Sequence, residues 1–161
     1  MDSKVNIYIQ RAKNELGLAE GIFKLSSDEV SKDNLGIAQD YTFYSAAISH
    51  AYYSIFYAAN AIILLKEEKI RSPEIHKKTF ERFRLLYVDT GILDLYLLKI
   101  YKKMIVRADS LLKIFKDEKW KRGHYTYQTI PQANIEPAKE SIANAKDFLK
   151  HITKKKKKKC R

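Results

Sequence analysis

The chain has a single cysteine, Cys160, beside its last residue. One thiol cannot form an intramolecular disulfide, and with four scattered histidines it makes no cysteine-based zinc site. A fold held by packing alone, in a reducing compartment, is the expectation. Strand signals are missing as well: no segment alternates apolar and polar residues, and no stretch repeats internally. An all-α architecture is left. The opening residues MDSKVNIY lack the basic start and apolar run of an export signal, which predicts a cytoplasmic protein.

One stretch lacks charge altogether. Residues 43–65, FYSAAISHAYYSIFYAANAIILL, hold no Lys, Arg, Asp or Glu in a chain where those types make up 31%. At helical spacing Tyr44, Ile48, Ala51, Ile55, Ala58, Ile62 and Leu65 form one stripe. Ser45, Tyr52, Phe56, Ala59 and Ile63 form a second beside it. A helix apolar on two faces belongs at the centre of a bundle or in a bilayer. The length suits a membrane span. The content does not, because Tyr, Ser, His and Asn run through the middle, whereas a bilayer keeps tyrosine at its interfaces. The stretch reads as a buried core helix, and no membrane is expected as a partner.

The rest reads as amphipathic helices able to wrap around it. A first helix over 3–25 carries Tyr8, Ala12, Leu16, Ala19 and Phe23 on one face, with Gly17 and Gly21 allowing a close neighbour. Residues 26–34 read as a polar connection, and the central helix starts within 38–42. Ser72 and Pro73 predict an N-cap and first helical position. The helix that follows buries Ile75, Thr79, Phe80, Phe83, Leu86 and Tyr87 and ends at Gly91. A longer helix over 93–116 buries Leu97, Ile100, Tyr101, Met104, Ala108, Leu111, Leu112 and Phe115. Residues 120–132, WKRGHYTYQTIPQ, break the helical period. A last helix, with Pro137 in its first turn, buries Ile142, Ala145, Phe148, Leu149 and Ile152. The expected architecture is an up-and-down bundle of about five helices over 1–152, followed by a disordered polylysine tail over 153–161.

That tail shapes the charge. The net charge is +12, of which six positives are the run 154–159, leaving +6 for the remainder. A lysine run adds non-specific attraction to phosphate whatever the folded part does.

Three blocks in order carry a family resemblance. The central SAAISHAYYSIFYAANAIIL resembles the Ser/Ala–Tyr–Tyr–Phe–Ala–Ala–Leu helix of HEPN domains. His76, Phe80, Phe83 and the run YVDTGIL at 87–93 resemble the next block. Arg122-Gly123-His124-Tyr125-Thr126-Tyr127 with the Ala-rich last helix resembles the third. The resemblance covers 3–152. It implies a helical homodimer of toxin–antitoxin type, acting as a metal-independent endoribonuclease or as the partner of a minimal nucleotidyltransferase antitoxin. RNA or a nucleotide is the implied ligand, and no cofactor or metal is implied. The family's ribonucleases carry an Arg, four to six residues and then a His. Here Arg122 is followed five residues on by Tyr127, so the match is to an Arg-x4-Tyr variant. Arg71 and His76 also fit Arg-x4-His as a string, but Pro73 between them and their early position make His76 read as a packing or capping residue.

Cleaving RNA without metal needs a base for the 2′-hydroxyl proton, an acid for the leaving oxygen and a cation for the developing phosphorane charge. Arg122 suits the last, its planar fork matching phosphate oxygens. His124 titrates in the right range. Tyr127 can donate a proton or hydrogen bond, or accept a nucleotidyl group, as can Tyr125. If the segment is helical, residues two apart diverge by about 200°, and His124 turns away from Arg122. Lys119, Trp120, Lys121 and Tyr125 add cations and rings of the kind that track phosphates and stack bases. His50 reads as a core or interface histidine, Asn60 as a buried hydrogen-bonding residue. The alternatives are a non-catalytic helical protein that binds nucleotide or a nucleotidyltransferase, and a structural protein localised by its tail.

Overall fold

The structure is a computed structural model that describes the backbone of residues 2–66, 70–71, 73–121 and 135–159, with side chains over 3–111 and 135–156 in those segments. Its α-helices are α1 (Asp2–Ser27), α2 (Glu29–Asn34), α3 (Tyr44–Ile63), α4 (Ile75–Phe83), α5 (Leu95–Lys121) and α6 (Ile135–Lys159). A π-helical turn, Arg84–Val88, continues α4. No strand occurs among the described residues. The all-α bundle expected from the sequence is observed. No helix among the described residues is long and apolar enough to cross a membrane.

Helix α3 is the axis, packed against α1, α4, α5 and α6. Fourteen of its residues are buried, on both of the expected stripes. Each fully buried Ile, such as Ile55 and Ile62, contributes about 1.5–3 kcal/mol relative to an exposed one. The α1–α3 contact is built from small residues: Ala12, Ala19, Ala51 and Ala58 are wholly buried. Ser54 on α3 donates its hydroxyl to the Ala12 carbonyl on α1 at 2.8 Å, so the two helices approach closely enough for a two-atom side chain to bridge them.

The glycines do not make that approach. A methyl group added at Gly17 or Gly21 would meet nothing within 4 Å, so both face open space. They are therefore only helix-weakening. Gly21→Ala is expected to stabilise the protein by about 0.5–1 kcal/mol, read as a higher midpoint in urea with an unchanged slope.

The 26–34 connection contains a helix that the sequence reading missed. Asp28 caps α2 by accepting from the Ser31 backbone N–H at 2.9 Å. Buried Lys32 donates its ammonium to the Gln39 carbonyl at 2.8 Å. The Ser26 hydroxyl accepts from the Phe43 N–H at 2.8 Å, delivering the chain to α3. Helix α3 accordingly starts at Tyr44, later than expected.

Helix α4 also starts later than the Ser–Pro signal predicts. Ser72 lies outside the described residues, and Pro73 precedes the helix by two positions. Glu74 is the N-cap residue, in a left-handed conformation with φ 61° and no side-chain cap bond. At the other end Gly91, φ 68°, closes the turn as expected. Buried Tyr87 donates its hydroxyl to the Ile62 carbonyl, tying the π-helical turn to the end of α3. Burial pushes the Tyr87 phenol up to about 12, so it stays a donor at all ordinary pH.

Helix α5 runs past the expected end at 116 and takes in Lys119, Trp120 and Lys121. Leu112 and Phe115 are helical, with side chains outside the described ones. Pro137 is the third residue of α6, within its first turn. Helix α6 continues through 154–159, the run that the sequence reading places in a disordered tail, and Lys156 donates to the Asn6 side-chain carbonyl on α1.

Candidate functional site

Lys119, Trp120 and Lys121 form the end of α5, which takes in the first two residues of the 120–132 segment. Arg122, His124, Tyr125 and Tyr127 lie outside the described residues. The structure describes the stem from which 122–134 departs and to which it returns.

Arg107 clamps that stem. Its guanidinium donates to the Pro137 carbonyl at 3.2 Å and the Ser141 hydroxyl at 2.8 Å. It also reaches a Glu140 carboxylate oxygen at 2.8 Å, while Lys103 pairs with the other oxygen. Hydrogen bonds from Lys103 and then Arg107 hold the Glu140 carboxyl below the usual carboxylate range. One forked cation thus meets a carbonyl in the first turn of α6, which also accepts the Ser141 hydroxyl at 2.6 Å, and a hydroxyl and carboxylate one turn on. Sequence reasoning missed Arg107. Its only signal is the i,i+4 spacing to Lys103, which any solvated helix face shows.

The described histidines each have a partner. His50 faces Glu15 of α1 at 2.6 Å, half-buried. His151 meets the Tyr96 hydroxyl at 2.8 Å through Nε2. His76 sits in the first turn of α4, its Nδ1 2.8 Å from the Tyr52 hydroxyl. Its ring lies 4.3 Å from Phe56 and 6.0 Å from Tyr53, centroid to centroid. Asn60 donates to the Phe56 carbonyl at 2.9 Å, the buried hydrogen-bonding role expected of it.

His76 therefore packs as expected, yet remains exposed on one side. Desolvation against the aromatic rings lowers its pKa below 6.5, opposed by the nearby Asp109 carboxylate. The neutral ring accepts from Tyr52, whose phenol burial pushes above its ordinary range. The folded state thus disfavours the proton. Stability linked to His76 is fully present above about pH 6.5 and falls as pH drops below it. In an NMR titration its ring is expected to show a midpoint below 6.5, and Asp109→Asn to lower that midpoint further. Near this cluster on α5, Tyr101 is wholly buried, and its hydroxyl has no hydrogen-bond partner among the described residues.

Fold and clamp define a helical bundle whose last two helices are tied to each other by Arg107. No protein-family model matches the chain, and no solved structure matches it. It is similar to a protein of Methanocaldococcus jannaschii named "Putative toxin MJ0605". The two are 28% identical over 129 residues, covering 78% of this chain and 83% of the relative.

Proposed function

We propose that this chain is a toxin of HEPN type that acts on RNA as a metal-independent endoribonuclease through the 119–127 segment. The observation that carries the toxin reading is the relative named as a toxin, matched over most of both chains. The all-α bundle around α3 and the Arg122–Tyr127 sequence are what favour a HEPN-type activity on RNA. Arg122 stabilises phosphorane charge, and His124 or Tyr127 moves the proton. Two copies face each other, and a minimal nucleotidyltransferase is the antitoxin partner. The test is incubation of the folded chain with RNA in the presence of a chelator. Cleavage is expected, and intact RNA would sink the catalytic reading.

The second reading is a non-catalytic binding protein, favoured by the replacement of the motif's histidine by Tyr127. It predicts no cleavage. It also predicts an added nucleotide mass on a tyrosine after co-expression with the nucleotidyltransferase.

A further inference from the structure

A row of rings runs across α1, α3 and α4. Tyr8 on α1 and Tyr57 on α3 lie 6.1 Å apart, with the Arg11 guanidinium over both, at 5.9 and 5.7 Å from their centroids. Tyr57 is followed by Tyr53 one helical turn away, at 6.4 Å and a shallow 30° between planes. Tyr53 leads to His76 on α4 at 6.0 Å. Tyr53 is 38% exposed, and Arg11 and His76 are exposed too. Phe56 is buried beneath the row, and Tyr8 and Tyr57 are half-buried against the core. Core packing does not account for the exposed rings of Tyr53 and His76 or for the guanidinium laid over Tyr8 and Tyr57.

We infer that this strip is a stacking platform for unpaired bases of a single-stranded nucleic acid, with Arg11 reaching a phosphate or lying on a base. Rings give faces that any base can cover, and guanidinium adds cation–π and phosphate contacts. Neighbouring rings are 6.0–6.4 Å apart, well beyond the rise of about 3.4 Å between stacked bases in a duplex strand. Successive rings therefore suit splayed bases, which selects single strands. Without the 154–159 run the chain still carries +6, which attracts phosphate. Among nearby acids, Glu15 is engaged by His50, and Asp109 lies beside Tyr52 and His76.

This inference goes beyond the cleavage reading and does not rest on it. The test uses the full chain and a fluorescent 2′-O-methyl oligouridylate. That probe lacks the attacking hydroxyl, so loss of binding and loss of cleavage are separate results. Salt of about 0.3 M suppresses the contribution of the 154–159 run. Tyr53→Ala and Tyr53→Leu are each expected to weaken binding about tenfold, with Tyr53→Trp restoring it. Arg11→Gln is expected to weaken binding and flatten its salt dependence by about one ion. A duplex should bind independently of Tyr53. Circular dichroism melting confirms that each variant is folded. Unchanged affinity in folded Tyr53→Ala and Arg11→Gln overturns the inference. So does a Tyr53→Ala variant whose only change is in sedimentation, which would assign the strip to a protein interface.

Discussion

Phe148→Ala is expected to destabilise the protein by about 3–5 kcal/mol, enough to lower the melting temperature by roughly 6–20 °C. The residue is wholly buried on the inner face of α6. Its ring lies 5.3 Å from Phe83 at the end of α4 and 5.8 Å from Tyr101 on α5. Three helices that meet α3 from different sides thus share one aromatic cluster. Truncation leaves a cavity that rigid helices cannot collapse into, so a cavity cost adds to the lost transfer free energy. Phe148→Leu keeps most of the volume and is expected to cost about 1.5 kcal/mol or less. Ile7→Ala, at an exposed position of α1, should fall within about 0.5 kcal/mol of wild type. Thermal and urea unfolding of the three variants, compared side by side, checks the order. Similar losses for Phe148→Ala and Ile7→Ala would show that the cluster is not the core.

The same cluster explains what could be read from the sequence. Phe148, Tyr101 and Phe83 were legible because helical periodicity reports burial directly, and all three fall on predicted inner faces. The charge-free stretch named the central helix for the same reason. Periodicity is silent about local hydrogen bonding, and the misses lie there. The cap at Asp28 turned an expected connection into α2. The left-handed Glu74 displaced the start of α4 beyond Pro73. Gly17 and Gly21 were read as contact points because glycine permits close approach, but permission is not contact, and alanines on the buried faces do the work. The candidate site was less legible. Arg122, His124 and Tyr127 are candidates by sequence pattern alone and lie outside the described residues. The Arg107 clamp that closes their stem depends on a carbonyl, a hydroxyl and a carboxylate some thirty residues away, which no local window joins. The ring row was visible only in part. Tyr53 and Tyr57 are four apart on α3, but Tyr8, Arg11 and His76 reach them only through helix packing.

Arg122→Ala is expected to lower metal-free RNA cleavage by about 10²–10³-fold, the loss seen when one donor to a developing oxyanion is removed. The argument is electrostatic. Attack of the 2′-hydroxyl adds a negative charge to the phosphorane, and on the proposed reading the Arg122 guanidinium would meet it with two parallel N–H groups. Arg122→Lys keeps the charge but not the fork, so it should recover only part of the rate. The protonic partner is separable by the pH profile. If His124 acts, His124→Ala removes a limb near its ordinary range of about 6.5, while Tyr127→Phe changes little. If Tyr127 acts, Tyr127→Phe removes the activity, and the wild-type rate keeps rising or falling toward pH 10 without a limb near neutrality. The effect of Arg122→Ala should be larger in kcat than in KM, since the phosphodiester already carries one negative charge and the transition state adds a second. A change confined to KM, with kcat intact, would make Arg122 a phosphate-binding residue and return the chemistry to another part of the chain.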